Sequence, residues 1–257
     1  MRNVLAVAGK ELRAYFHSPI AYLVMTVYTV LCGFFFFSMT SRYLNLTLRM
    51  GMMGGMGPMP TLNEVIIRSL LEGVLTVVLL LLIPLITMRL YAEEKRSGTM
   101  ELLLTSPLTD LEIILGKFFG SLALYLVLML ITFLYVAVLF FYGNPNGKPV
   151  LANALGLLLY GAALLALGMW FSTFTRNQII AGAVGMSVFL LLYVLDWMSE
   201  YSSGAVGRVL SYMALTTHFD NFAKGVIDLS DVVFYLSVIA LGIFLTARSV
   251  EALKGRP

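Results

Sequence analysis

Residues 91–117 read YAEEKRSGTMELLLTSPLTDLEIILGK, the one long charged insert between two apolar runs of this chain. The insert holds Glu93, Glu94, Lys95, Arg96, Glu101, Asp110, Glu112 and Lys117, in a protein of 257 residues that is only 12% charged and 60% hydrophobic. Apolar runs on both sides are long enough to cross a bilayer, because a hydrocarbon core of about 30 Å needs roughly 20 helical residues. The insert therefore lies in water, and its punctuation is that of a docking element, not a tether. A helix leaving the membrane can run through residues 93–96 until Gly98 interrupts it. Thr99 can then open a short helix with Glu101 in its first turn and Leu102, Leu103 and Leu104 behind it. Pro107 stops that helix. Thr109 and Glu112 have capping-box spacing: the threonine side chain takes the Glu112 amide and the glutamate reaches back, starting a long helix.

Working outward, six stretches are long and apolar enough to span: residues 20–39, 70–90, 118–142, 151–174, 179–198 and 232–250. The expected fold is an all-α membrane protein, a single transmembrane domain over 1–257 with little room for anything outside the bilayer. Cys32 is the sole cysteine, so no intrachain disulfide can form. The N-terminus lacks a small-residue cleavage site, so the first span is expected to stay in the mature protein. Eleven of the 17 Lys and Arg residues fall on one side if the N-terminus is inside. With an even span count, that bias puts both termini in the cytoplasm. The net charge of +3 is then a topology signal and not a nucleic-acid footprint.

Residues 1–19 wind as an amphipathic helix, with Val4, Leu5, Ala8, Leu12, Tyr15 and Phe16 on one arc and Arg2, Lys10 and Arg13 on the other. Such a helix suits an inner membrane surface with anionic headgroups, and Pro19 ends it. Residues 49–60, RMGMMGGMGPMP, form an irregular loop whose methionines (Met50, Met52, Met53, Met56 and Met59) could offer soft thioethers to Cu(I). No cysteine or histidine accompanies them, and a flexible apolar loop against headgroups explains them as well. A short amphipathic turn is expected from 61 to 72. Pro84 removes a helical hydrogen bond in the second span, which predicts a kink and a candidate hinge. Residues 199–231 are too apolar for a free aqueous loop, so two short helices in or against the outer leaflet are expected.

Catalytic constellations are missing from the pattern. Gly116-Lys117 lacks the upstream glycine and following hydroxyl of a phosphate loop, so nucleotide hydrolysis belongs to another chain. Ser187 and His218 do not carry the spacing of an intramembrane protease, and His218 reads as a polar interfacial residue. Ionisable groups at the span midplane, which a proton relay requires, are also lacking.

The stretch EEKRSGTMELLLTSPLTDLEIILGK resembles the hallmark of the permease subunits of type 2 ABC exporters, an E-K/R-x-x-G-T-x-E-x-L-L-x-S-P pattern after the second span. Within that group the likeness is greatest to gliding-motility-associated permeases, helped by HSPIAYLVMTVYTVLCGFFFF and HFDNFAKGVIDLSDVVFYLS. By this resemblance Glu94, Gly98, Thr99, Glu101, Leu102, Leu103, Ser106 and Pro107 match the element that docks a cytoplasmic ATPase, assisted by Lys10, Leu12, Arg13 and Phe16 of the interfacial helix. Glu94 and Glu101 would take cations of the ATPase, and Leu102–Leu104 would fill an apolar cleft. The resemblance further implies an inner-membrane homodimer or heterodimer of permeases. It also implies ATP and magnesium on partner ATPase subunits, with no cofactor or enzyme activity on this chain. An alternative is a mechanotransmitting or scaffolding subunit acting on an extracytoplasmic partner. The methionine loop keeps open a likeness to permeases that assist copper-site maturation in nitrous oxide reductase.

Overall fold

The computed structural model describes residues 1–52, 61–104, 107–202 and 204–254, except for the side chains of Leu103, Leu104, Glu200 and Lys254. The described residues contain no strand, and six helical segments are long and apolar enough to cross a membrane. Lipid offers no hydrogen-bond partners, so each crossing segment must satisfy its own backbone, and helices do this.

A short first helix, α1 (Arg2–His17), precedes the first span α2 (Pro19–Met52), with Ser18 extended between them. The second span is one continuous rod from Asn63 to Ser97. Its last turns are α3 (Thr76–Thr87) and α4 (Arg89–Ser97), joined through Met88 in helical conformation. Pro84 sits inside α3, and the rod continues past it.

The entry to this rod differs from expectation. In place of a short amphipathic turn at 61–72, Asn63–Leu75 is a 13-residue π-helix. In that winding each amide reaches five residues back, so the buried side chains recur at wider steps: Ile66, Ile67, Leu70, Leu71 and Leu75. Long π-helices are rare. This one is held by packing and by Arg68, whose guanidinium pairs with Glu72 at 2.7 Å and with Asp220 at 2.8 Å.

After the short α5 (Thr99–Leu104), the third and fourth spans are α6 (Asp110–Tyr142) and α7 (Gly147–Ser172). The last two are α8 (Gln178–Tyr201) and α11 (Leu229–Lys254). Between them lie α9 (Gly204–Met213) and α10 (Phe219–Ala223). Helix α7 is the axis of the bundle, with α3, α6, α8, α10 and α11 packed around it. Its buried face is rich in small residues, among them Gly161, Ala163, Ala166 and Gly168. Helix association in lipid depends on such close approach, since apolar burial alone gains little there. By contrast, α2 leaves Leu23, Val30, Phe34, Phe37, Leu44 and Leu48 exposed along its length.

Helices α9 and α10 fill the region where two short helices were expected. Phe219 and Phe222 are fully buried against the bundle, whereas Val206, Val209 and Tyr212 stay exposed. His218 is buried within the chain. Its Nδ1 lies 2.7 Å from Asp231 Oδ1, its Nε2 lies 3.2 Å from the Tyr212 carbonyl, and its ring stacks on Phe234 at 3.7 Å. These contacts tie the turn before α10 to the start of α11, a structural role.

Candidate functional site

The charged insert folds at the end of the bundle where α1, α4, α5 and the start of α6 meet. Gly98 ends α4 with φ of 74°, a left-handed conformation that favours glycine. That single residue turns the chain sharply from α4 into α5. Across the turn, the Ser97 and Thr99 hydroxyls lie 2.8 Å apart. On α5, Met100 is buried while Thr99, Glu101 and Leu102 are exposed, Leu102 by 72%. Leu103 and Leu104 continue the helix, but their side chains, like residue Ser106, lie outside what is described; Pro107 is exposed.

The return is fixed by a capping box. Thr109 Oγ1 accepts from the Glu112 amide at 3.3 Å, and Glu112 Oε2 accepts from the Thr109 amide at 3.0 Å. The other Glu112 oxygen takes a 3.0 Å hydrogen bond from Asn3, fastening the start of α1 to the start of α6.

Helix α4 is stitched to the bundle through α7. Ser172 Oγ accepts from the amides of Tyr91 (2.9 Å) and Ala92 (3.1 Å) and donates to the Met88 carbonyl (3.0 Å). Lys95 adds a hydrogen bond to the Thr173 carbonyl. Thus the platform beneath α5 is anchored to the bundle.

The residues of α1 buried against the rest of the chain are Val7, Glu11 and Tyr15, while Leu5 is 71% exposed. Leu12 and Phe16 are half-buried against the core, while Lys10 and Arg13 face outward. The reason is a groove on α6. A Cβ on Gly116 would lie 2.5 Å from Val7 Cβ, and one on Gly120 would lie 2.7 Å from Glu11 Cβ. Gly116-Lys-Phe-Phe-Gly120 is a GxxxG pair, a signal for close helix approach that was present in the sequence and overlooked. Gly120→Val is therefore expected to push α1 off α6 and cost about 1–3 kcal/mol. Accelerated proteolysis of the first 17 residues would report the displacement.

In the crevice between these helices lies Lys117, whose side chain is 1% exposed. Its ammonium donates to Glu11 Oε1 at 2.9 Å, Glu94 Oε1 at 2.8 Å and the Leu90 carbonyl at 2.8 Å. Three donors meet three acceptors. The Tyr91 ring lies 5.2 Å from the same nitrogen. Lys10, mostly exposed, sits 4.0 Å from Glu94. Glu94, assigned by pattern to a cation of the ATPase, thus has its cation within the chain. Nearby, Tyr15 donates to the Ile86 carbonyl at 2.8 Å, and Arg89 stacks over its ring at 5.1 Å. Burial, reinforced by the Glu11 carboxylate, pushes the Tyr15 phenol well above its ordinary range, so it stays a neutral donor.

The opposite end of the bundle holds a polar cavity of about 1030 Å³ between the π-helix, α8 and the residues around α10. Its wall includes Glu64, Arg68, Glu72, Asp196 and Asp220, with Asp196 accepting from Thr216 (2.8 Å) and Thr217 (2.6 Å). Among the described residues no group of His, Cys, Asp or Glu could hold a metal. Met50 is described at the end of α2; Met53, Met56 and Met59 lie outside the described residues.

The described residues thus form a helical bundle of membrane-crossing length with a short helix held out on an anchored elbow. Residues 5–246 match the ABC-2 family transporter protein family, and the chain belongs to it. The chain is also similar to the probable multidrug ABC transporter permease YbhS of Escherichia coli (strain K12) and its counterpart in Escherichia coli O157:H7. Each is 26% identical over 191 residues, covering 70% of this chain and 48% of the relative. The chain spans about half the length of the curated relatives it matches. Family and apolar helices together make it a multi-pass, permease-type component of an ABC transporter.

Proposed function

We propose that this chain couples ATP hydrolysis on a separate ATPase subunit to export across the inner membrane. In this reading α5 seats in a cleft of the ATPase, and a second permease completes a central path. The carrying observation is the pose of α5: Glu101 and Leu102 are exposed on a short helix that Gly98 turns away from the anchored end of α4. The likeness of residues 84–117 to gliding-motility-associated permeases belongs to the same reading, as does a drug-like cargo by analogy with the relatives' name. Co-expression with the cognate ATPase tests it. Affinity capture of this chain is expected to bring the ATPase with it, and ATP turnover is expected to vanish from preparations of the permease alone.

Orientation follows from the same reading, with α1 and α5 on the cytoplasmic side. A cysteine at Asn3 is expected to resist a membrane-impermeant thiol reagent in intact cells, and one at Lys148 to react. The reverse pattern would invert the map and detach α5 from any cytoplasmic ATPase.

A further inference from the structure

Lys117 is placed as few lysines are: in a crevice, saturated by groups from two other helices. Glu11 comes from α1, Glu94 and the Leu90 carbonyl from α4, and the lysine itself from α6. Stability alone does not explain such a cluster, because well-packed apolar residues of similar volume commonly serve a core as well as a buried ion pair does. What a buried, fully hydrogen-bonded charge adds is a specified geometry. Its location matters for the same reason. Glu94 stands in the last turn of α4, and Gly98 separates that turn from α5. Gly116 and Gly120 flank Lys117 on α6 and seat α1 beside it, so the lysine lies where all three helices converge.

We propose that Lys117 is the positioning residue of the coupling apparatus: its ammonium clamps α1, α4 and α6 into one unit that carries displacement of α5 into the spans. This inference rests on the reading of α5 as the ATPase-docking element. Displacement of a short helix on an exposed elbow reaches the membrane only if the elbow's base moves as a body. Without the clamp, α4 would tilt against α1 and α6, and the motion would dissipate at the surface.

The test uses the full chain in lipid nanodiscs with spin labels at Ala6→Cys on α1 and Arg96→Cys on α4, both exposed positions. Distances are recorded for the permease alone and with its cognate ATPase, nucleotide-free and ATP-bound. The wild-type chain is expected to give one narrow distance in every state. Lys117→Met by itself strands two carboxylates, so the informative variant is the neutral set Glu11→Gln, Glu94→Gln and Lys117→Met. That set is expected to melt close to wild type, yet to broaden the α1–α4 distance on the permease alone and reduce ATP turnover to that of the ATPase alone. A wild-type distance that shifts on ATP binding overturns the proposal, as does a neutral set with wild-type width and turnover. Loss of ATPase capture by the wild-type chain removes the docking reading instead, and the distance on the permease alone still decides whether the unit is rigid.

Discussion

Lys117→Met is expected to destabilise the bundle by about 3–5 kcal/mol, the usual cost of removing one partner from a buried ion pair. The size follows from what remains. Glu11 and Glu94 keep side chains only 12% and 14% exposed, and the substitution takes away the cation both of them share. Methionine fills the volume, so packing loss is minor and the penalty is electrostatic. Thermal unfolding in detergent, followed by tryptophan fluorescence, would show a lowered midpoint. Adding Glu11→Gln and Glu94→Gln is expected to return most of the loss, because the uncompensated charges are then gone. A single variant that melts with wild type would mean the cluster is wet and contributes little.

Glu101→Arg is expected to abolish ATPase capture while leaving the bundle intact. Glu101 is exposed on the solvent face of α5, and reversing its charge against a cationic cleft costs about 2–5 kcal/mol. That is roughly 30- to several-thousand-fold in affinity. The neighbouring change Gly98→Pro acts by another route. Proline holds φ near −65° and cannot adopt the 74° that turns α4 into α5, so the element is misdirected with its contact surface unchanged. Capture and ATP turnover, with expression level and melting midpoint as folding controls, separate the two effects. Wild-type capture by Glu101→Arg would show that docking lies elsewhere.

The charged end of the bundle was legible where its signals are local. Glycine at a left-handed turn and a capping box over four residues act within a turn or two of backbone, and Gly98 and the Thr109–Glu112 pair display them openly. Legibility failed where a charge had to be assigned a partner. Lys117 and Glu94 lie 23 residues apart and Lys117 and Glu11 lie 106 apart, and both carboxylates look solvated when read along their own helices. Glu11 sits at the edge of the apolar arc of α1, so helical periodicity alone left it on the surface. The GxxxG pair at Gly116 and Gly120 was the one cue that another helix would press against this face of α6.

The far end gives the same lesson through winding. Nothing in NEVIIRSLLEGVL marks a π-helix, since the i→i+5 ladder has no strong side-chain propensity to announce it. Packing of Ile66, Leu70 and Leu75, with the reach of Arg68 to an aspartate 152 residues away, accompanies that register. By itself the sequence determined that the chain crosses a membrane as helices and where the charged elbow bends. Apolar length and backbone self-satisfaction leave lipid-embedded segments no other choice. Only the tertiary structure decided which charges face one another and how α1 and the π-helix are turned, because those depend on which helices become neighbours, a property no single segment carries.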